Sequence, residues 1–182
     1  HIIAANVDHA FIVVTLAFPE VKLPFIDRLL VTCEVYGVKP VIVLNKIDIV
    51  DEFRDDFAPA LENFHRIYEG AGYSILEVSA KTGRGVDELR RLCLEKSEDG
   101  APGISLFSGV SGVGKSSLIK AMDPSLNPKT GLISEAHLQG RHTTTFYEMY
   151  PLCGGEGCII DTPGIRGFGL VDLEPEEISL YF

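Results

Sequence analysis

The sequence predicts an α/β fold: a mostly parallel sheet with helices on both faces and one β-hairpin. Short apolar runs rich in branched residues alternate with amphipathic stretches of helical length, the pattern of buried strands joined by crossover helices. Towards the C-terminal end, two further strand-like runs are separated only by a Gly-rich turn, which predicts the hairpin. A length of 182 residues, 46% hydrophobic and 23% charged, suits one domain with a sizeable core.

The elements follow in order. FIVVTLA (11–17) reads as the first strand and 21–36 as a helix, then PVIVLN (40–45) as a second strand and 51–69, opened by Asp51, as a second helix. YSILEVS (73–79) is a third strand, followed by a helix over 86–96 that opens near Asp87. EKSEDGAPG (95–103) has a linker composition and leads into GISLFSG (103–109), a fourth strand, and a helix over 115–122. Pro124, Pro128 and Gly131 punctuate a polar segment, 123–142. TTFYEMYPL (144–152) and GCIIDT (157–162) form the hairpin, and LEPEEISLYF opens a last helix.

Composition excludes several classes. The longest apolar run, AFIVVTLAF at 10–18, is about half the roughly 20 residues needed to cross a bilayer. No signal-peptide layout opens the chain, so a cytoplasmic protein with no membrane partner is expected. The first residue is His1 rather than Met, so the chain is expected to begin inside a longer gene product. Cys33, Cys93, Cys153 and Cys158 lack the paired spacing of a zinc site or disulfide framework, and GGEG between the last two reads as a turn. A net charge of −10 and a pI near 4.9 weigh against this segment gripping RNA alone.

GVSGVGKSS contains the chemistry-bearing stretch. Gly109, Val110, Ser111, Gly112, Val113, Gly114, Lys115, Ser116 and Ser117 fit a loop whose backbone N–H groups cradle phosphates. Lys115 would reach the outer phosphates and the Ser116 hydroxyl would bind Mg2+. The following helix N-terminus favours anions. NKID, formed by Asn45, Lys46, Ile47 and Asp48, selects guanine: the Asp48 carboxylate can accept both the ring N–H and the exocyclic amine, a pair adenine lacks. Asn45 would brace the loop and Lys46 would lie along the base. SAKTG adds Ser79, Ala80, whose N–H would meet the guanine oxygen, and Lys81, packed over the base. DTPG places Asp161 on Mg2+ through a water and the Gly164 N–H on the γ-phosphate. RHTTT supplies a threonine for the metal; Thr144 is favoured, with Thr143 and Thr145 open.

Base, base, phosphate and switch loops appear in that order, so the expected P-loop GTPase fold is circularly permuted. EKSEDGAPG would join the usual ends, which lie close together. With NKID, SAKTG, GVSGVGKSSL, GRHTTT, DTPGIRGFGL and LEPEEI, the chain resembles the permuted GTPases of bacterial small-subunit ribosome maturation, the RsgA or YjeQ family. The resemblance covers essentially the whole chain. It implies GTP or GDP and Mg2+ as ligands, and the small ribosomal subunit and its rRNA as partners. It also implies an N-terminal OB-fold and a C-terminal zinc-binding domain outside these residues, with zinc confined to the latter. We expect a monomer.

Ile165 stands where Ras-like GTPases carry a glutamine that orients water, so intrinsic turnover is expected to be slow and subunit-stimulated. His142 is the available substitute for orienting or deprotonating water. His1, His9, His65 and His137 read as structural or solvated. A nucleotide-gated binding module with incidental hydrolysis is the alternative class. Permuted GTPases of large-subunit assembly are a closer alternative, but their usual Gly-x-Pro-Asn phosphate loop differs at Ser111 and Gly112. Gly112 also removes the asparagine that some GTPases use to hold potassium.

Overall fold

The computed structural model describes residues 6–128 and 148–161. Six strands form one sheet: β1 (His9–Val14), β2 (Lys39–Leu44), β3 (Ser74–Glu77), β4 (Ile104–Ser108), β5 (Glu148–Leu152) and β6 (Gly157–Asp161). Their spatial order is β3-β2-β1-β4-β6-β5. All neighbours pair in parallel except β5 and β6, the expected hairpin. A 3-10 turn, Cys153–Gly155, joins those two.

The central strands are the most apolar because both their faces are covered. Every residue of β1 is buried, which is why HAFIVV shows no alternation. Phe11 of β1 stands opposite Phe107 of β4 in register, and their rings lie 5.1 Å apart. On the opposite face of the sheet Ile12 stands beside Ile42 of β2, and both are buried.

Helices α1 (Leu23–Val35), α2 (Ile47–Glu52), α3 (Arg54–Gly70), α4 (Val86–Cys93) and α5 (Lys115–Met122) connect the strands. The chain first moves outward from β1 to β3, then returns to β4. Right-handed crossovers therefore put α1 and α3 on one face and α4 and α5 on the other. The last two touch: Arg90 Nε donates to the Met122 carbonyl at 2.7 Å.

One expected element divides. The helix anticipated over 51–69 is two helices, broken at Phe53 with φ −113° and ψ 45°. The first begins already at Ile47, because Lys46 adopts a left-handed φ of 63° and turns the chain straight into a helix. Asp48 consequently sits in a first helical turn, where a carboxylate is favoured.

The reversal of strand order between β1 and β4 leaves a crevice at their C-terminal ends, where α/β sheets receive ligands. The loops after β1, β2, β3 and β4 all open there.

Candidate nucleotide-binding site

Pairing between β2 and β3 continues past the strands and brings the two base-reading loops together. Val78 N–H donates to the Leu44 carbonyl at 2.8 Å and Ile47 N–H to the Val78 carbonyl at 3.1 Å. NKID and SAKTG therefore lie side by side, and their side chains complete the join. The Ser79 hydroxyl donates to Asp48 Oδ1 at 2.6 Å, and Thr82 N–H donates to Ser79 Oγ at 3.1 Å. Lys81 Nζ stands 3.9 Å from Asp48 Oδ2. The Asp48 carboxylate is thus held in one orientation without being buried, as a hydrogen-bond acceptor for an incoming ligand must be.

Asn45 links these loops to the phosphate loop. It is 2% exposed, so both ends of its amide need partners. Its Nδ2 donates to the Val113 carbonyl at 2.8 Å, and its Oδ1 accepts the Ala80 N–H at 3.2 Å. Ala80 N–H, expected to face a guanine oxygen, therefore already has an intramolecular acceptor at the long end of hydrogen bonding.

The glycines of the phosphate loop are required by the protein itself. Gly114 has a φ of +97°, and a Cβ there would lie 2.4 Å from Asn45 Nδ2. A Cβ on Gly109 would lie 2.4 Å from the Val13 carbonyl oxygen, so the loop is pressed against the end of β1. Lys115, the first residue of α5, is buried and donates from Nζ to the carbonyls of Gly109 at 2.8 Å and Val110 at 3.5 Å. Burial holds its pKa below the usual lysine value, opposed by the charge of Asp161.

Two residues of the expected ligand loops carry core side chains. Ile47 is 1% and Val113 0% exposed. Their apolar side chains serve packing, while the Ile47 N–H and the Val113 carbonyl hold the loops. Val110, Gly114 and Ser116 are half-buried, and Ser111, Gly112 and Ser117 are exposed. Asp161 ends β6 opposite Phe107 of β4. Its carboxylate and the Ser116 hydroxyl are oxygen donors suited to a hard divalent cation. Gly164, Ile165, His142, Thr143, Thr144 and Thr145 lie outside the described residues.

Lys46 has partners that its motif does not announce. Its Nζ donates to the Gly112 carbonyl at 2.8 Å and to the carbonyl of Phe18, in the loop after β1. No sequence pattern marks Phe18.

A profile of the RsgA GTPase family matches residues 1–171. The chain belongs to the RsgA GTPase family. Proteins named small ribosomal subunit biogenesis GTPase RsgA are similar throughout: that of Flavobacterium johnsoniae is 49% identical across 100% of this chain and 53% of the relative. That of Bacteroides fragilis is 48% identical across 100% of this chain and 55% of the relative. The chain spans about half the length of these curated RsgA relatives. The crystal structure of YjeQ from Thermotoga maritima matches with a TM-score of 0.74 and 36% identity, over 97% of this chain and 55% of that one. The structure of YloQ, a circularly permuted GTPase, shares the fold at a TM-score of 0.66 and 24% identity, over 97% of this chain and 51% of that one. The order of loops along this chain is accordingly that of a circularly permuted GTPase fold.

Proposed function

We propose that this chain is the GTP-binding and GTP-hydrolysing part of a switch protein that assists late maturation of the small ribosomal subunit. The observation that carries the nucleotide reading is Asn45, which ties a guanine-compatible carboxylate loop to a phosphate-compatible glycine loop through one buried amide. That arrangement fixes the separation of the two loops, and a purine nucleoside phosphate has the two matching ends. The relatives named small ribosomal subunit biogenesis GTPase RsgA support the small subunit as the partner.

In this reading Asp48 accepts the two guanine N–H groups and Ala80 N–H is shared with the guanine oxygen. An incoming phosphate takes the Lys115 ammonium from the Gly109 and Val110 carbonyls, an ion pair replacing hydrogen bonds to neutral acceptors. Ser116 and Asp161 would hold Mg2+, which when bound neutralises phosphate charge. No cluster of three or more His, Cys, Asp or Glu suited to a metal occurs among the described residues, and an ion held largely by phosphate oxygens and water needs none. Thr144 is assigned to the same ion, Gly164 to the γ-phosphate and His142 to the attacking water. Ile165 leaves turnover slow until a partner acts.

The test is GTP turnover by the full-length protein, alone and with purified small or large ribosomal subunits, with Lys115→Ala as the blank. Stimulation by small subunits only is the expected result. Normal GTP binding without stimulation by either subunit would leave a nucleotide-gated binding module in its place.

A further inference from the structure

The loop after β1, residues 15–22, has the sequence Thr-Leu-Ala-Phe-Pro-Glu-Val-Lys, which resembles no ligand-binding motif. It nevertheless enters the crevice between β1 and β4. Val21 N–H donates to the Thr15 carbonyl at 3.1 Å, and the Thr15 hydroxyl donates to the Pro19 carbonyl, so the loop closes on itself. At its tip Phe18 has a φ of +51°, a region that bulky residues seldom occupy. Its side chain is 72% exposed, so burial of the ring does not hold this conformation. What the turned backbone achieves is the direction of the Phe18 carbonyl, which accepts a hydrogen bond from Lys46 Nζ.

The same ammonium reaches the Gly112 carbonyl at 2.8 Å. A Cβ built on Gly112 would lie 3.4 Å from Pro19 Cδ, so the two loops that present these carbonyls lie close together. A free lysine side chain samples many rotamers, and ordering it upon ligand binding weakens affinity. Between two carbonyls, Lys46 is ordered before any ligand arrives.

We propose that the Phe18 carbonyl is a positioning group of the nucleotide site: it holds Lys46 in place and so sets the affinity for guanine nucleotides. The inference rests on the nucleotide reading above and deepens it. Because Lys46 serves the base, GDP and GTP should be affected alike. The KM for GTP should move while kcat stays.

The experiment is titration of the full-length protein with fluorescent GDP, comparing Phe18→Pro and Phe18→Gly in the wild-type and Lys46→Met backgrounds. Proline fixes φ near −65° and so redirects the carbonyl, whereas glycine adopts positive φ freely and keeps it in place. Phe18→Pro should bind GDP roughly tenfold more weakly, the scale of one hydrogen bond to a charged group. Phe18→Gly should restore affinity to within about threefold of wild type, since it keeps the acceptor. In the Lys46→Met background, Phe18→Pro should add less than about twofold, because coupled residues are not additive.

Wild-type affinity in Phe18→Pro would overturn the proposal. So would an equal loss in Phe18→Gly, or the same loss in both backgrounds. Should Phe18→Pro fail to fold, Thr15→Val replaces it, removing the hydroxyl that holds Pro19, with Thr15→Ser as its rescue. A wild-type protein that binds no GDP would overturn the nucleotide reading and this proposal with it; GDP binding by wild type that Phe18→Pro leaves unchanged overturns this proposal alone.

Discussion

Gly114 is constrained from two sides, by its backbone and by a neighbour. Its φ of +97° and the 2.4 Å approach of Asn45 Nδ2 to any Cβ mean that Gly114→Ala must either move the phosphate loop or displace Asn45. The left-handed backbone alone costs about 1–2 kcal/mol for alanine. Displacing Asn45 breaks its hydrogen bonds to Val113 and Ala80 and so disturbs the base loops as well. We expect Gly114→Ala to lower the melting temperature and to weaken GDP binding by at least tenfold, roughly the scale of one charge-assisted hydrogen bond. Calorimetry and GDP titration of the same protein check this. A variant with lower stability but intact affinity would show that the loops are not joined through Asn45. The sequence announces the glycine as part of the phosphate loop and the asparagine as a brace of the base loop; that the two also touch each other required the fold, because 69 positions separate them along the chain.

Among the elements, β3 and α3 are joined by a histidine that sequence reading left without partners. His65 Nδ1 lies 2.9 Å from Glu69 Oε1, and its Nε2 lies 3.0 Å from Glu77 Oε1. Arg84, just after SAKTG, adds hydrogen bonds to Glu77 at 2.7 Å and to Asp51 of α2 at 2.6 Å. Burial lowers the His65 pKa, but the hydrogen bonds and charges of Glu69 and Glu77 outweigh it, and the net shift is upward. A folded pKa above the unfolded value means that the contribution to stability is complete below about pH 6.5, the ordinary histidine value. It is lost as pH rises through the folded pKa. His65→Gln should therefore destabilise most near pH 6, and its melting temperature should move closer to wild type as pH rises through the folded pKa of His65. A difference independent of pH would remove the charged state from the argument.

The strands and most helices were legible because apolar runs and their spacing respond to burial, which the sheet imposes locally. The ends of β1 and β3 fell short of the runs FIVVTLA and YSILEVS, since residues such as Thr15 and Ser79 keep strand-like neighbours while serving loops. The break at Phe53 was not legible, because a left-handed Lys46 and the resulting early helix have no signature in composition. His65 was equally hidden, since Glu77 becomes its neighbour only when α3 packs against β3.

At the scale of the whole molecule, the two edges of the sheet do different work. The C-terminal edge carries the loops after β1, β2, β3 and β4. The opposite edge carries the join made by residues 95–103, where Asp8 Oδ2 accepts hydrogen bonds from the Ser97 hydroxyl at 2.7 Å and the Ile104 N–H at 2.7 Å. This join anchors the linker that permutation requires, and it lies a full strand length from the phosphate loop at the other end of β4. Sites so separated and sharing no partner combine additively. Asp8→Ala should therefore lower stability by about 2 kcal/mol, the scale of hydrogen bonds to a charged acceptor, without altering GDP affinity. Ligand binding acts independently: GDP at 100 times its Kd should stabilise the folded state by about 2.7 kcal/mol. That increment should be the same in wild type and Asp8→Ala and absent in Lys115→Ala. Thermal denaturation of the three proteins with and without GDP measures all of it. A GDP increment that shrinks in Asp8→Ala would mean that the linker edge and the nucleotide edge are coupled through β1 and β4, and that the permuted join takes part in the switch rather than only closing the fold.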